Sequence, residues 1–142
     1  MRWTALIWAL HLLFAAMPAV AQDIDGAVPV FSERQTNSFT PGAQDEAAIA
    51  GLTDGGYVIA WTSSAQDGAG DGVLAQRYDA NGTLVGPEFL VNTTVLGGQS
   101  DASIAGLADG GFIVTWTDTA ADGSGAGIFG QRYGADGLPV GG

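Results

Sequence analysis

From residue 47 onward the chain alternates short apolar runs with polar breaks rich in glycine, aspartate and asparagine. The runs are short and lack the i, i+3, i+4 spacing of an amphipathic helix, so they predict strands. Residues 47–52 predict a first strand. Asp54-Gly55-Gly56 predicts a hairpin turn, because glycine reaches the positive φ that tight turns require. Residues 57–62 predict a second strand. Its Tyr57, Ile59 and Trp61 share one face, and Val58, Ala60 and Thr62 share the other. Both faces are largely apolar, which predicts a strand covered on both sides. A polar, glycine-rich loop over 63–71 leads to a third strand at 73–78. A turn at Asp79-Ala80-Asn81-Gly82 precedes a short fourth strand at 88–92.

The plan then recurs. The stretch starting at Ile49 and the stretch starting at Ile104 align without a gap, 55 positions apart, with just over half of their positions identical. Asp109-Gly110-Gly111 takes the place of the first hairpin turn, and strands are expected at 112–117 and 128–133. A repeat of this length defines a unit that hides its apolar surface against its neighbour. Four short antiparallel strands per unit predict an all-β fold of two units resembling β-propeller blades, a partial propeller. A β-sandwich is the alternative, although sandwich strands alternate more cleanly between apolar and polar. The boundaries read as 46–100 for the first repeat and 101–142 for the second, whose last strand is expected to be missing.

The first 45 residues divide in two. Met1-Arg2, an apolar run over 5–16 and Ala19-Val20-Ala21 form the n-region, h-region and small-residue site of a cleaved secretory signal over 1–21. Residues 22–45 form an N-terminal segment. Within it Glu33, Asn37, Gly42 and Gln44 precede Glu88, Asn92, Gly97 and Gln99 by the same 55 positions. Residues 31–40 therefore read as a displaced copy of the last strand, placed to close a ring within one chain or between chains. Two blades cannot close a ring by themselves. The expected partners are copies of the chain or further repeats of the same kind.

Loss of the signal changes the chemistry on offer. It removes His11, the only histidine, and leaves Arg34, Arg77 and Arg132 against 15 acidic residues, a net charge of about −12. That surface repels nucleic acid and anionic lipid. No apolar segment after the signal is long enough to span a bilayer. Cysteine is absent, so there is no disulfide framework. Without His or Cys, Ser-His-Asp and Cys-His nucleophiles and His/Cys zinc sites are excluded. Paired-carboxylate glycosidase chemistry stays open in principle, but no acidic pair stands out.

Two groups are candidate binding residues. Asp67 and Asp71 lie four positions apart in a glycine-permissive loop, and Asp122 occupies the Asp67 position of the second copy, where Ala126 replaces Asp71. Calcium takes six to eight oxygens, several of them backbone carbonyls, so the loop reads either as a calcium site or as a solvated Gly-Asp turn. Gln76-Arg77-Tyr78 recurs as Gln131-Arg132-Tyr133. Arg77 and Arg132 read either as structural, over an aromatic ring or paired to a turn carboxylate, or as an anion- or sugar-binding pair. Trp61 and Trp116 sit mid-strand, where core packing is expected over sugar stacking.

The succession Asp-Gly-Gly, Trp, Gln-Asp-Gly, Ala-Gln-Arg-Tyr-Asp and Phe-Leu-Val-Asn resembles the tandem repeats of large bacterial extracellular proteins. Many of those also carry haemolysin-type calcium-binding or cadherin-like segments. The resemblance covers residues 45–142. It implies a secreted or cell-surface location and no catalytic activity; the signal alone also leaves the periplasm open. The glycine-rich nonapeptide of haemolysin-type calcium sites is absent from this sequence. The functional expectation is an exported, non-enzymatic β-repeat module for adhesion or assembly. A carbohydrate-binding propeller lectin taking glycans and a non-catalytic piece of a secreted enzyme are the alternatives.

Overall fold

The computed structural model describes residues 33–141, and its compact unit begins at Gln35. The expected signal over 1–21, the residues up to 32 and Gly142 lie outside the described residues. Among the described residues there is no helix, and none is long and apolar enough to cross a membrane. Eight strands build two four-stranded antiparallel sheets. The first holds β1 (Gln44–Gly51), β2 (Tyr57–Ser64), β3 (Asp71–Tyr78) and β4 (Leu84–Leu90). The second holds β5 (Gln99–Gly106), β6 (Phe112–Asp118), β7 (Gly127–Tyr133) and β8 (Pro139–Val140). In each sheet the spatial order is the chain order, so every connection is a hairpin.

The turn chemistry works as the sequence predicts. Gly55 and Gly110 have φ of 84° and 86°. Asp54 Oδ1 accepts the Gly56 amide at 2.8 Å, and Asp109 Oδ1 accepts the Gly111 amide at 3.1 Å, closing each hairpin locally. Asp79 Oδ1 likewise accepts the amides of Asn81 and Thr83. Those two amides hold its carboxyl below the usual carboxylate range.

Strand limits differ from expectation at several places; β2 and β3 run two residues further, to Ser64 and from Asp71. β1 starts earlier, at Gln44, and carries a bulge between Asp45 and Ala48. The bulge puts Glu46 at φ 53°, and Asp101 repeats it in β5 at φ 57°. The fourth strand also starts earlier, at Leu84, because Leu84 and Val85 pair with Tyr78 and Arg77 directly after the turn. The second sheet therefore does have a fourth strand. Pro139 and Val140 pair with Tyr133 and Arg132 in the register of their counterparts Leu84 and Val85; the strand expected to be missing was the counterpart of 88–92, not this pair. Val91 and Asn92 stay attached to β3 beyond the end of β4. The Val91 amide donates to the Val73 carbonyl, and Asn92 Oδ1 accepts the Val73 amide, each at 2.8 Å.

The connector between the sheets exists twice. Asn92 donates to the Thr94 carbonyl and to Gln99 Oε1, and Gln99 donates to the Leu96 carbonyl. Asn37 donates to the Phe39 carbonyl and to Gln44 Oε1, and Gln44 donates to the Pro41 carbonyl. The segment leading into β1 is thus a geometric copy of the one leading into β5. The Tyr78 hydroxyl reaches the Thr36 carbonyl at 3.4 Å, as the Tyr133 hydroxyl reaches the Val91 carbonyl at 3.5 Å. Residues 33–40 form no strand, and Ser38 donates through its amide and hydroxyl to Glu88 of β4.

One core joins the sheets. Val58, Ala60, Val73 and Ala75 of the first pack with Ala102, Phe112, Val114 and Trp116 of the second. Both indoles are buried, as their mid-strand positions predict.

Candidate functional site

The junction between the sheets is built by β5 lying against β1, β2 and β3. The strands come closest where β1 ends. A Cβ placed on Gly106 would stand 2.2 Å from the Gly51 carbonyl oxygen, so only glycine fits. Glu46 Oε2 crosses the junction to accept the Asp101 amide at 3.0 Å, and also accepts the Thr62 hydroxyl at 2.8 Å. The Asp101 amide is the main reason its carboxyl is held below the ordinary range.

Arg77 is the polar anchor of the junction. Its guanidinium donates from Nη2 to the Ala135 carbonyl in the β7–β8 turn at 2.9 Å, and lies 6.0 Å from the centroid of the Phe112 ring. Phe112 in turn stacks on Tyr133 at 4.8 Å and 10°. Tyr133 is enclosed there, and burial pushes its phenol up to about 12. Arg132 has other surroundings. It sits on the outer face of the second sheet, half exposed, paired to the turn carboxylate Asp109.

The outer faces carry the same positions without cover. Val73 is 0% exposed at the junction, and its counterpart Ile128 on the outer face of the second sheet is 76% exposed. Ile104 packs on the core, and its counterpart Ile49 on the outer face of the first sheet is 64% exposed. Strand β2 is therefore covered on one face and half open on the other. A cavity of about 330 Å³ lies on that open face, lined by Thr36, Asn37, Ala48, Ile49, Ile59 and Trp61 among others. The counterparts Val91, Asn92 and Val114 are buried in the core. The cavity is thus the space that the neighbouring sheet fills at the junction.

The acidic loop residues stand apart from this surface. Asp67 Oδ1 accepts the amides of Ala69 and Gly70, at 3.0 and 3.3 Å, while its Oδ2 is enclosed with no hydrogen-bond partner. Asp71 opens β3 opposite Ser64 and is exposed. Asp122 Oδ1 caps the Ser124 amide in the other sheet. Among the described residues no three acidic or histidine side chains gather as a metal-binding group. Asp67 Oδ1 is committed to its own turn. Calcium titrated into the chain is expected to give no binding heat, and a chelator no change in melting temperature. A rise in melting temperature with calcium would identify the loop as a metal site.

Recurrence at 55 positions was the available signal for the Asn–Gln connector and for the two arginines. The junction glycine, the bulge carboxylate and Tyr133 recur at the same spacing of 55 positions, as Gly51 and Gly106, Glu46 and Asp101, and Tyr78 and Tyr133, but their contacts do not follow from recurrence alone. Compared with protein-family models, curated proteins and solved structures, the chain matches none of them.

Proposed function

We propose that the chain is an exported, non-enzymatic β-repeat module whose sheets stack as propeller-like blades in adhesion or assembly at or beyond the cell surface. The observation that carries this reading is the junction itself. Two equivalent meanders pack through non-equivalent faces, leaving one of each face open. A sandwich whose connections cross between sheets would not repeat in this way; each unit here is closed by its own hairpins. The likeness of the repeats to those of large bacterial extracellular proteins supports the location, as does the signal pattern of residues 1–21. Glycan binding is the weaker reading, because both indoles are covered, Trp61 at 3% and Trp116 at 7% exposed, and neither offers an exposed platform.

Expressed with its own N-terminus, the chain is expected in the periplasm or the medium, beginning at Gln22. At micromolar concentration it is expected to sediment as species heavier than one chain. Retention in the cytoplasm would overturn the export reading. A single-chain mass at every concentration would overturn the assembly reading.

A further inference from the structure

The two open faces are mates. At the junction, the Val58–Ala60–Val73 face of the first sheet receives the Phe112–Val114–Trp116 face of the second. Moved along by one repeat, the first face becomes Ile113–Thr115–Ile128 and the second becomes Tyr57–Ile59–Trp61. Those are the two outer faces. We propose that a second copy of this chain seats its Tyr57–Ile59–Trp61 face on the Ile113–Thr115–Ile128 face of the first, reproducing the internal junction between molecules. This rests on the assembly reading above and specifies its contact.

The polar anchors carry over residue by residue. Arg132 stands to the second sheet as Arg77 stands to the first. In the seated pair it leaves Asp109, donates to the Ala80 carbonyl of the second copy and lies over the Tyr57 ring. Ala80 is the counterpart of Ala135, and Tyr57 is already stacked on Tyr78 at 4.8 Å and 13°, as Phe112 is on Tyr133. The 330 Å³ cavity beside Ile49 and Ile59 is filled by the apolar side chains of the first copy. Ile128, the most exposed large apolar residue described, loses its contact with water. The contact joins unlike faces, so it repeats head to tail and either closes a ring or runs on as a filament.

Gly51 makes the proposal testable. Its counterpart Gly106 has no room for a Cβ against the Gly51 carbonyl, whereas a Cβ on Gly51 meets nothing within 4 Å in the single chain. In the seated pair, Gly51 of the second copy takes the place of Gly106, against the Gly106 carbonyl of the first. Gly51→Ala is therefore expected to leave the melting temperature of the dilute chain unchanged and to abolish association in sedimentation. Arg132→Gln is expected to raise the dissociation constant about tenfold, because a charged donor to a carbonyl is lost. If wild type associates and both variants associate equally well, this contact is wrong while assembly stands. If wild type itself never associates, the assembly reading falls together with the contact.

Discussion

Replacing Phe112 with alanine is expected to lower the stability of the chain by about 3–5 kcal/mol, the range for deleting a buried aromatic. The same change at Tyr57, its counterpart in the first repeat, is expected to cost about 1 kcal/mol, close to the value of a partly exposed aromatic pair. Phe112 is 0% exposed, lies between the Tyr133 ring and the Arg77 guanidinium, and faces the apolar wall of the first sheet. Its removal leaves a cavity that close-packed backbone on both sides cannot collapse to fill. Tyr57 stacks on Tyr78 in the same way but is only half buried. Urea unfolding of the two variants, at dilution low enough to suppress association, reads the difference directly. Equal losses would mean that the second sheet is not held on the first through this face.

The comparison is informative because the two repeats serve as controls for each other. The two repeats share just over half of their positions and the same strand plan. What differs is whether a sheet lies beyond. Val73 and Ile128, Ile104 and Ile49, Arg77 and Arg132 diverge in burial for that reason alone. Differences in stability between counterparts therefore report the junction, with strand propensity largely cancelled.

The same contrast explains how far the sequence could be read. Hairpins at Asp54-Gly55-Gly56 and Asp109-Gly110-Gly111 were legible, since their geometry is local and glycine is required. The two-sided apolar pattern of Tyr57 to Thr62 predicted a strand covered on both sides, but a sheet covers only its Val58–Ala60 face, and Tyr57 and Ile59 stay half open. The start of the fourth strand was misplaced because Leu84 and Val85 are ordinary residues. Their pairing is set by the turn before them rather than by their own pattern. The bulges at Glu46 and Asp101 were invisible for a related reason. An acidic residue at positive φ has no sequence signature, and at Glu46 the carboxylate ties the bulge across the junction to the Asp101 amide. The arginines were legible as a recurring pair, yet their surroundings were not, because a single repeat cannot tell which of its faces will be covered.

Arg77→Gln is expected to destabilise the chain by about 2–3 kcal/mol, while Arg132→Gln changes the stability of the dilute chain by less than about 0.5 kcal/mol. Arg77 is buried, and its Nη2 supplies the hydrogen bond to the Ala135 carbonyl across the junction. Glutamine is too short to reach that carbonyl, which is left without its charged donor, and the stack over Phe112 is lost as well. Gly137 shows how closely the surroundings fit the guanidinium, since a Cβ there would come within 2.7 Å of Arg77 Nη1. Arg132 holds an exposed ion pair with Asp109, and pairs of that kind contribute little in water. A cycle combining Arg77→Gln with Phe112→Ala is expected to fall short of the sum of the single losses, because both variants dismantle one contact. Strict additivity would show that the guanidinium and the ring act independently, and would remove Arg77 as the anchor of the junction.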